Sequence, residues 1–233
     1  MSNNKELFPP ATPEMSKKRA ALAPEITEAF RNFSKTVFKA GALDEKTKQL
    51  IAVAVAHVTQ CPYCIQGHTK IAKRKGASNE ELMEAIWIAA AGRASGAYQF
   101  AAIAVQEMEI IDGKLEIMSN DKELHAQNTP EMAKKKAGLA PVTAETWRTF
   151  STAVFKTGAI DGKSKQLIAL AVSHVTQCPY CIQGHTKMAK RKGATNEELM
   201  EAIWVASEMR AGGAYAHAAI AIEEMDIAEN KNN

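Results

Sequence analysis

The chain has 233 residues, 46% of them hydrophobic and 24% charged, with 29 basic against 26 acidic side chains for a formal charge of +3. That balance excludes a disordered or collagen-like chain and allows one large core or two small ones. It also argues against a nucleic-acid partner, the lysine clusters Lys17-Lys18-Arg19 and Lys134-Lys135-Lys136 being expected as solvated faces.

The opening stretch, Met1 to Glu6, has no apolar core of a secretory signal, and the longest aliphatic run, Leu50 to Ala56, is too short to span a bilayer. A cytoplasmic protein with no membrane partner is therefore expected. In a reducing compartment four cysteines do not make a disulfide scaffold.

The chain is one unit written twice. Residues 47–89 align without gaps to 164–206 at an offset of 117, differing only at Thr47/Ser164, Val53/Leu170, Ala56/Ser173, Ile71/Met188, Ser78/Thr195 and Ile88/Val205. The offset also pairs Pro13-Glu14-Met15 with Pro130-Glu131-Met132, Leu22-Ala23-Pro24 with Leu139-Ala140-Pro141, and Tyr98 with Tyr215. The expected units are 1–112 and 128–233, joined by a polar linker over about 112–127.

In chain order, Ile26, Phe30, Phe33 and Val37 recur at three- and four-residue steps and predict an amphipathic helix over Glu25 to Lys39. Asp44 and Asp161 are suited to N-cap a helix that runs through the Leu50-Ile51-Ala52-Val53 face to His57. The next helix should start at the cysteine motif and end at Lys73-Arg74-Lys75-Gly76, where basic residues and a glycine suit a helix C-terminus. Ser78-Asn79-Glu80-Glu81 and Thr195-Asn196-Glu197-Glu198 match a capping box and open a helix through Trp87 or Trp204. Beyond it, Arg93-Ala94-Ser95-Gly96-Ala97 and Arg210-Ala211-Gly212-Gly213-Ala214 either allow close helix approach or break the helix. Strand-like alternation is absent, so the fold class is all-α.

Each unit carries Cys-Pro-Tyr-Cys-Ile-Gln-Gly-His: Cys61, Cys64 and His68 in the first, Cys178, Cys181 and His185 in the second. Proline favours the first helical position, which places Cys61 and Cys178 near the N-cap, where exposed amides stabilise a thiolate. At helical spacing both thiols and the imidazole share one face. That pattern suits reversible dithiol and disulfide chemistry.

Other readings of the motif are a pair of buried structural cysteines and a zinc half-site drawing on His57 or His174. A thioredoxin-like fold would need a βαβ context that the chain lacks. Trp87, Trp204, Tyr98 and Tyr215 are expected as core residues, with pocket walls as the alternative.

The motif, the aliphatic helix before it and the Glu-Glu-Leu-Met-Glu-Ala-Ile-Trp after it resemble the carboxymuconolactone decarboxylase superfamily, in its alkylhydroperoxidase D-like branch. The resemblance covers most of both units and implies a tandem pair of such units in a pseudo-twofold arrangement. It implies that Cys64 and Cys181 attack a peroxide, Cys61 and Cys178 resolve it as a disulfide, and His68 and His185 relay the proton. The helix-terminus argument favours instead the first cysteine as the more acidic one.

Two departures stand out. The family's relay glutamate falls at Gln49 and Gln166, which cannot titrate, and the residue between the cysteines is Tyr63 or Tyr180. Weak peroxidase activity or a substitute group is implied, the candidates being His57 and His174, or Glu208 and His217, whose first-unit counterparts are Ala91 and Phe100.

The expected function is a thiol-dependent hydroperoxide reductase or disulfide oxidoreductase with no bound cofactor, recycled by an external dithiol. The alternatives are lactone decarboxylation and a non-catalytic redox sensor or scaffold. The resemblance further implies a homo-oligomer, a trimer of two-unit chains.

Overall fold

The structure, a computed structural model, describes residues 8–113 and 129–231. The expected linker lies outside them except for Asp112 and Gly113, which close a helix end with amide bonds to Met108 O and Ile110 O. Among the described residues there are ten α-helices and no strand.

The first repeat holds α1 (Pro13–Leu22), α2 (Pro24–Phe38), α3 (Glu45–Thr59), α4 (Pro62–Arg74) and α5 (Asn79–Ile111); the second holds α6 (Pro130–Leu139), α7 (Pro141–Phe155), α8 (Gly162–Val175), α9 (Pro179–Arg191) and α10 (Asn196–Lys231). Helices α1 and α6 were not anticipated. Each is capped by a threonine, Thr12 or Thr129, and opens on proline. Each stops where the next proline forces its predecessor out of the helical region, at Ala23 (φ −149°) and Ala140 (φ −147°).

The expected caps form. Asp44 accepts from the Thr47 amide at 2.8 Å, Asp161 from those of Lys163 and Ser164, and Ser78 and Glu81 complete a reciprocal capping box. Gly76 (φ +86°) and Gly193 (φ +83°) end α4 and α9 in the left-handed region, where glycine carries no β-carbon penalty.

Past their polar first turns, helices α3 and α8 are apolar all round over Leu50 to Ala56 and Leu167 to Val172, and those stretches are buried. A helix of that kind belongs in the centre of a core. The two pack against each other across the pseudo-twofold axis, and α5 and α10 cross both of them.

Helices α5 and α10 do not stop near the tryptophans. They continue unbroken through the small-residue segments to Ile111 and Lys231, so of the two expectations for those segments, close approach is the one realised. The extra length carries each helix onto the other repeat: α5 packs on α6, α7 and α9, and α10 packs on α1, α2 and α4. The two units share one core, clamped twice more at its edge. Lys48 donates to Val37 O and Lys39 O and pairs with Glu201 of α10 at 3.1 Å, while Lys165 does the same with Val154 O, Lys156 O and Glu84 of α5.

The tryptophans are not core. Trp87 is half exposed, lies edge-on to Phe150 and lines a cavity of about 530 Å³ with Val154 and Gly158, while Trp204 meets Phe33 in the matching place. Lys136 departs from the solvated face expected of its cluster, being only 5% exposed. No described helix is long and apolar enough to cross a membrane.

Candidate active site

The cysteines are positioned by a tight break between two helices. Helix α3 ends on Gln60 in the left-handed region (φ 56°), the Cys61 amide reaches back to Ala56 O, and Pro62 then opens α4. Cys61 is the N-cap, its sulfur accepting the Cys64 amide at 3.2 Å; Gln177, Cys178, Pro179 and Cys181 repeat the arrangement at 3.3 Å. The first pair is joined as a disulfide with its Cα atoms 5.3 Å apart, and in the second, unbridged pair the two sulfurs lie side by side.

Two properties divide between the cysteines of a pair. The first receives the helix amide that favours a thiolate, while the second is the more open, Cys64 at 9% against 1% for Cys61 and Cys181 at 6% against 0% for Cys178. Burial, reinforced by the adjacent Cys178 sulfur, pushes the Cys181 thiol up to about 12, against the pull of Ser95 and Lys136. A thiol so placed needs a base.

The imidazole one helical turn beyond Cys64 supplies a lone pair. His68 Nδ1 lies 2.8 Å from Gln49 Oε1, and His185 Nδ1 lies 2.8 Å from Gln166 Oε1. An amide oxygen only accepts, so the ring proton sits on Nδ1 and Nε2 is left as an acceptor. The rings are also shielded, His68 by Phe38 at 5.2 Å and His185 by Phe155 at 5.4 Å, and burial lowers each imidazole to about 4, so both are neutral near pH 7. His57 and His174 instead donate Nδ1–H to Val53 O and Leu170 O within their own helices. Among the described residues no three His, Cys, Asp or Glu side chains converge as a metal-ligand set.

Each dithiol is closed over by the other repeat. A β-carbon on Gly213 of α10 would stand 4.0 Å from Cys64 Sγ, and one on Gly96 of α5 would stand 3.9 Å from Cys178 Cβ. Both are ordinary contact distances, so the crossing helices lie against the dithiols without crowding them.

The crossing also makes the sites unequal. At the second site Ser95 Oγ lies 3.7 Å from Cys181 Sγ, where the first site has Gly212. Lys136 is buried beside the second pair, its charge acting on both Cys178 and Cys181, and its Nζ reaches Gln99 Oε1 at 3.3 Å. Its counterpart Arg19 binds Tyr215 O and Ala216 O and stacks over the Tyr215 ring, as Lys136 does over Tyr98. The signal for these two cations was a basic residue kept at the offset of 117.

The first site has residues of its own. His217 lies against Tyr63 with ring centroids 5.9 Å apart, its Nε2 buried without a hydrogen-bond partner, while Phe100 fills that place beside Tyr180. Glu208 is 4% exposed and lines a cavity of about 480 Å³ together with Gln49 and His68.

A model of the carboxymuconolactone decarboxylase family matches the chain twice, over residues 24–107 and 141–224. The chain belongs to the carboxymuconolactone decarboxylase family. It is similar to a Paracoccus denitrificans protein named only as uncharacterized protein 4 in the cox locus, 66% identical over 76 residues that make up 33% of this chain and 68% of that one. Its fold is like that of a Burkholderia xenovorans protein described as a candidate gamma-carboxymuconolactone decarboxylase subunit, with a TM-score of 0.75, 21% identity, and coverage of 96% of this chain and 93% of that one. For this family member the tandem match coincides with the pseudo-twofold pair of helical units.

Proposed function

We propose that this family member is a dithiol hydroperoxide reductase with one centre per repeat. The observation that carries the reading is the adjacency of two sulfurs at a helix N-terminus, one turn from an imidazole whose tautomer the Gln49 or Gln166 oxygen sets.

The chemistry balances with the chain's own groups. In the reduced first site, Nε2 of His68 takes the Cys64 proton and the thiolate attacks the distal peroxide oxygen. The O–O bond breaks, the alkoxide leaves with the proton from His68, and Cys64 becomes a sulfenic acid. The Cys61 sulfur then displaces hydroxide, forming the disulfide and water. An external dithiol restores both thiols by exchange and is itself oxidised to a disulfide. Cys181, Cys178 and His185 have the same roles in the second site.

Lactone decarboxylation gives the adjoining thiols no task. The half-exposed Met83, Trp87, Met200 and Trp204 on α5 and α10 offer apolar surface for association of chains, and the trimer of two-unit chains rests on the family resemblance.

The test is hydroperoxide consumption with a dithiol in excess. The C64S/C181S chain should lose it while keeping its helical circular dichroism; unchanged turnover would overturn the assignment. A single oxidation of the parent chain with no second cycle would make it a sensor instead.

A further inference from the structure

Resting on the peroxidase reading, the inequality of the two sites identifies a residue that neither repeat could supply to itself. Gln49 and Gln166 stand where a relay would need a carboxylate, and both are occupied in holding the imidazole tautomer. The first site nevertheless has a carboxylate at hand, Glu208 of α10, brought there because α10 crosses onto α2 and α4 of the other repeat.

Three features set Glu208 apart from a structural acid. It is 4% exposed, yet it makes no ion pair among the described residues, and its Oε2 is buried with no hydrogen-bond partner. The Ser34 hydroxyl donates to the carboxylate, which orients it without neutralising it. It shares the cavity of about 480 Å³ with Gln49 and His68, and no cysteine lines that cavity. The charged groups on that cavity's wall are Lys35 of α2, Lys39 just beyond it, Glu45 of α3, and Lys75 beyond α4, with Lys75 and Glu45 paired to each other.

We propose that Glu208 is a positioning residue of the first dithiol site, the carboxylate that holds the proton His68 removes from Cys64 and returns it through His68 to the departing alkoxide, and that the second site, with Ala91 in the matching place, works without one. Burial holds the Glu208 carboxyl above its ordinary range, which suits a proton acceptor, while the buried His68 ring keeps a proton poorly. Water in a cavity of that size can carry the proton between them. The second site is already shaped for such a group: Ser151 takes the place of Ser34 at the same offset.

The experiment is iodoacetamide alkylation of the reduced full-length chain against pH. The tryptic peptides carrying the two motifs differ at Val53/Leu170 and Ala56/Ser173, so mass spectrometry follows Cys64 and Cys181 in one sample. In E208Q, Cys64 should react about tenfold more slowly than in the parent near pH 8, the two curves should merge at acid pH where the carboxyl is protonated, and Cys181 should be unchanged.

A Cys64 profile that E208Q leaves unaltered, or a slowing that is the same at every pH or shared by Cys181, overturns the proposal. Should E208Q not fold, A91E decides: faster Cys181 alkylation above the carboxyl titration supports it, and an unchanged rate overturns it. Alkylation needs no peroxide. A chain that shows this profile without consuming hydroperoxide loses the peroxidase reading alone, and one that turns over with a flat profile loses Glu208 alone.

Discussion

Gln49 Oε1 accepts the His68 Nδ1 proton at 2.8 Å, so the side chain that removes a carboxylate from the relay also orients the base. An amide oxygen fixes the tautomer without raising the imidazole's affinity for a proton, and burial then leaves His68 at about 4. The substitution Q49E should restore the electrostatic support: His68 is expected to titrate at least one pH unit higher by NMR, as about 1–3 units follow from a close opposite charge. His185 is the internal reference and should stay where it is. A His68 titration that Q49E leaves unmoved would show that the ring does not sense that position.

The same burial makes the fold sensitive to acid. His68 and His185 titrate at about 4 in the folded chain against 6.5 for the free group, so the unfolded chain binds the extra protons between those values. Stability is therefore complete above about pH 6.5 and lost progressively as pH falls toward 4. The loss between pH 7 and pH 5 should be about 2 kcal/mol per imidazole by linkage. Urea midpoints at the two pH values measure it, and the H68Q/H185Q chain should show a much flatter dependence. An equally steep one would assign the acid sensitivity to other groups.

A second prediction about stability concerns the clamps between repeats. Glu201 accepts the Ala42 and Leu43 amides at 3.0 and 2.7 Å and pairs with Lys48, which is 3% exposed. Burial opposes ionisation of Glu201, but those amides and Lys48 outweigh it and hold the carboxyl below its usual range. Replacing Lys48 with methionine keeps the bulk and leaves two carbonyls and a carboxylate without their donor, which should cost about 3–5 kcal/mol. K165M should do the same through Glu84. Chemical denaturation measures both, and a cost under about 1 kcal/mol would mean that water replaces the ammonium.

Much of this architecture is written locally in the chain. Asp44, Ser78 and Glu81 announce their helix starts, Pro62 places Cys61 at an N-cap, and Gly76 closes α4, because each depends only on neighbours within a turn. Helix α1 was not visible, since Pro13–Leu22 buries no residue and so carries no apolar stripe. The crossing of α5 and α10 could not be read either. Two near-identical repeats offer each terminal helix the same apolar partners, and nothing in Ala91 or Glu208 says which repeat's site it serves. Glu208 and His217 were recognisable as unmatched positions, but only the path of α10 brings them to the first dithiol.

That crossing also predicts opposite outcomes for two glycine substitutions. Gly92 of α5 is buried where α5 meets α8, and a β-carbon there would collide with Val172. Alanine gains about 1 kcal/mol of helix propensity over glycine, but overpacking a filled contact costs about 1–3 kcal/mol, so G92A should be net destabilising. Gly213 of α10 leaves room: a β-carbon would rest 3.9 Å from Thr59 Oγ1 and 4.0 Å from Cys64 Sγ, ordinary contact distances. G213A should therefore stabilise the chain by up to about 1 kcal/mol while narrowing the approach to Cys64. Urea midpoints that move in opposite directions, with slower alkylation of Cys64 in G213A and not in G92A, are the expected result. A destabilised G213A would mean that α10 lies closer to the first dithiol than these distances allow.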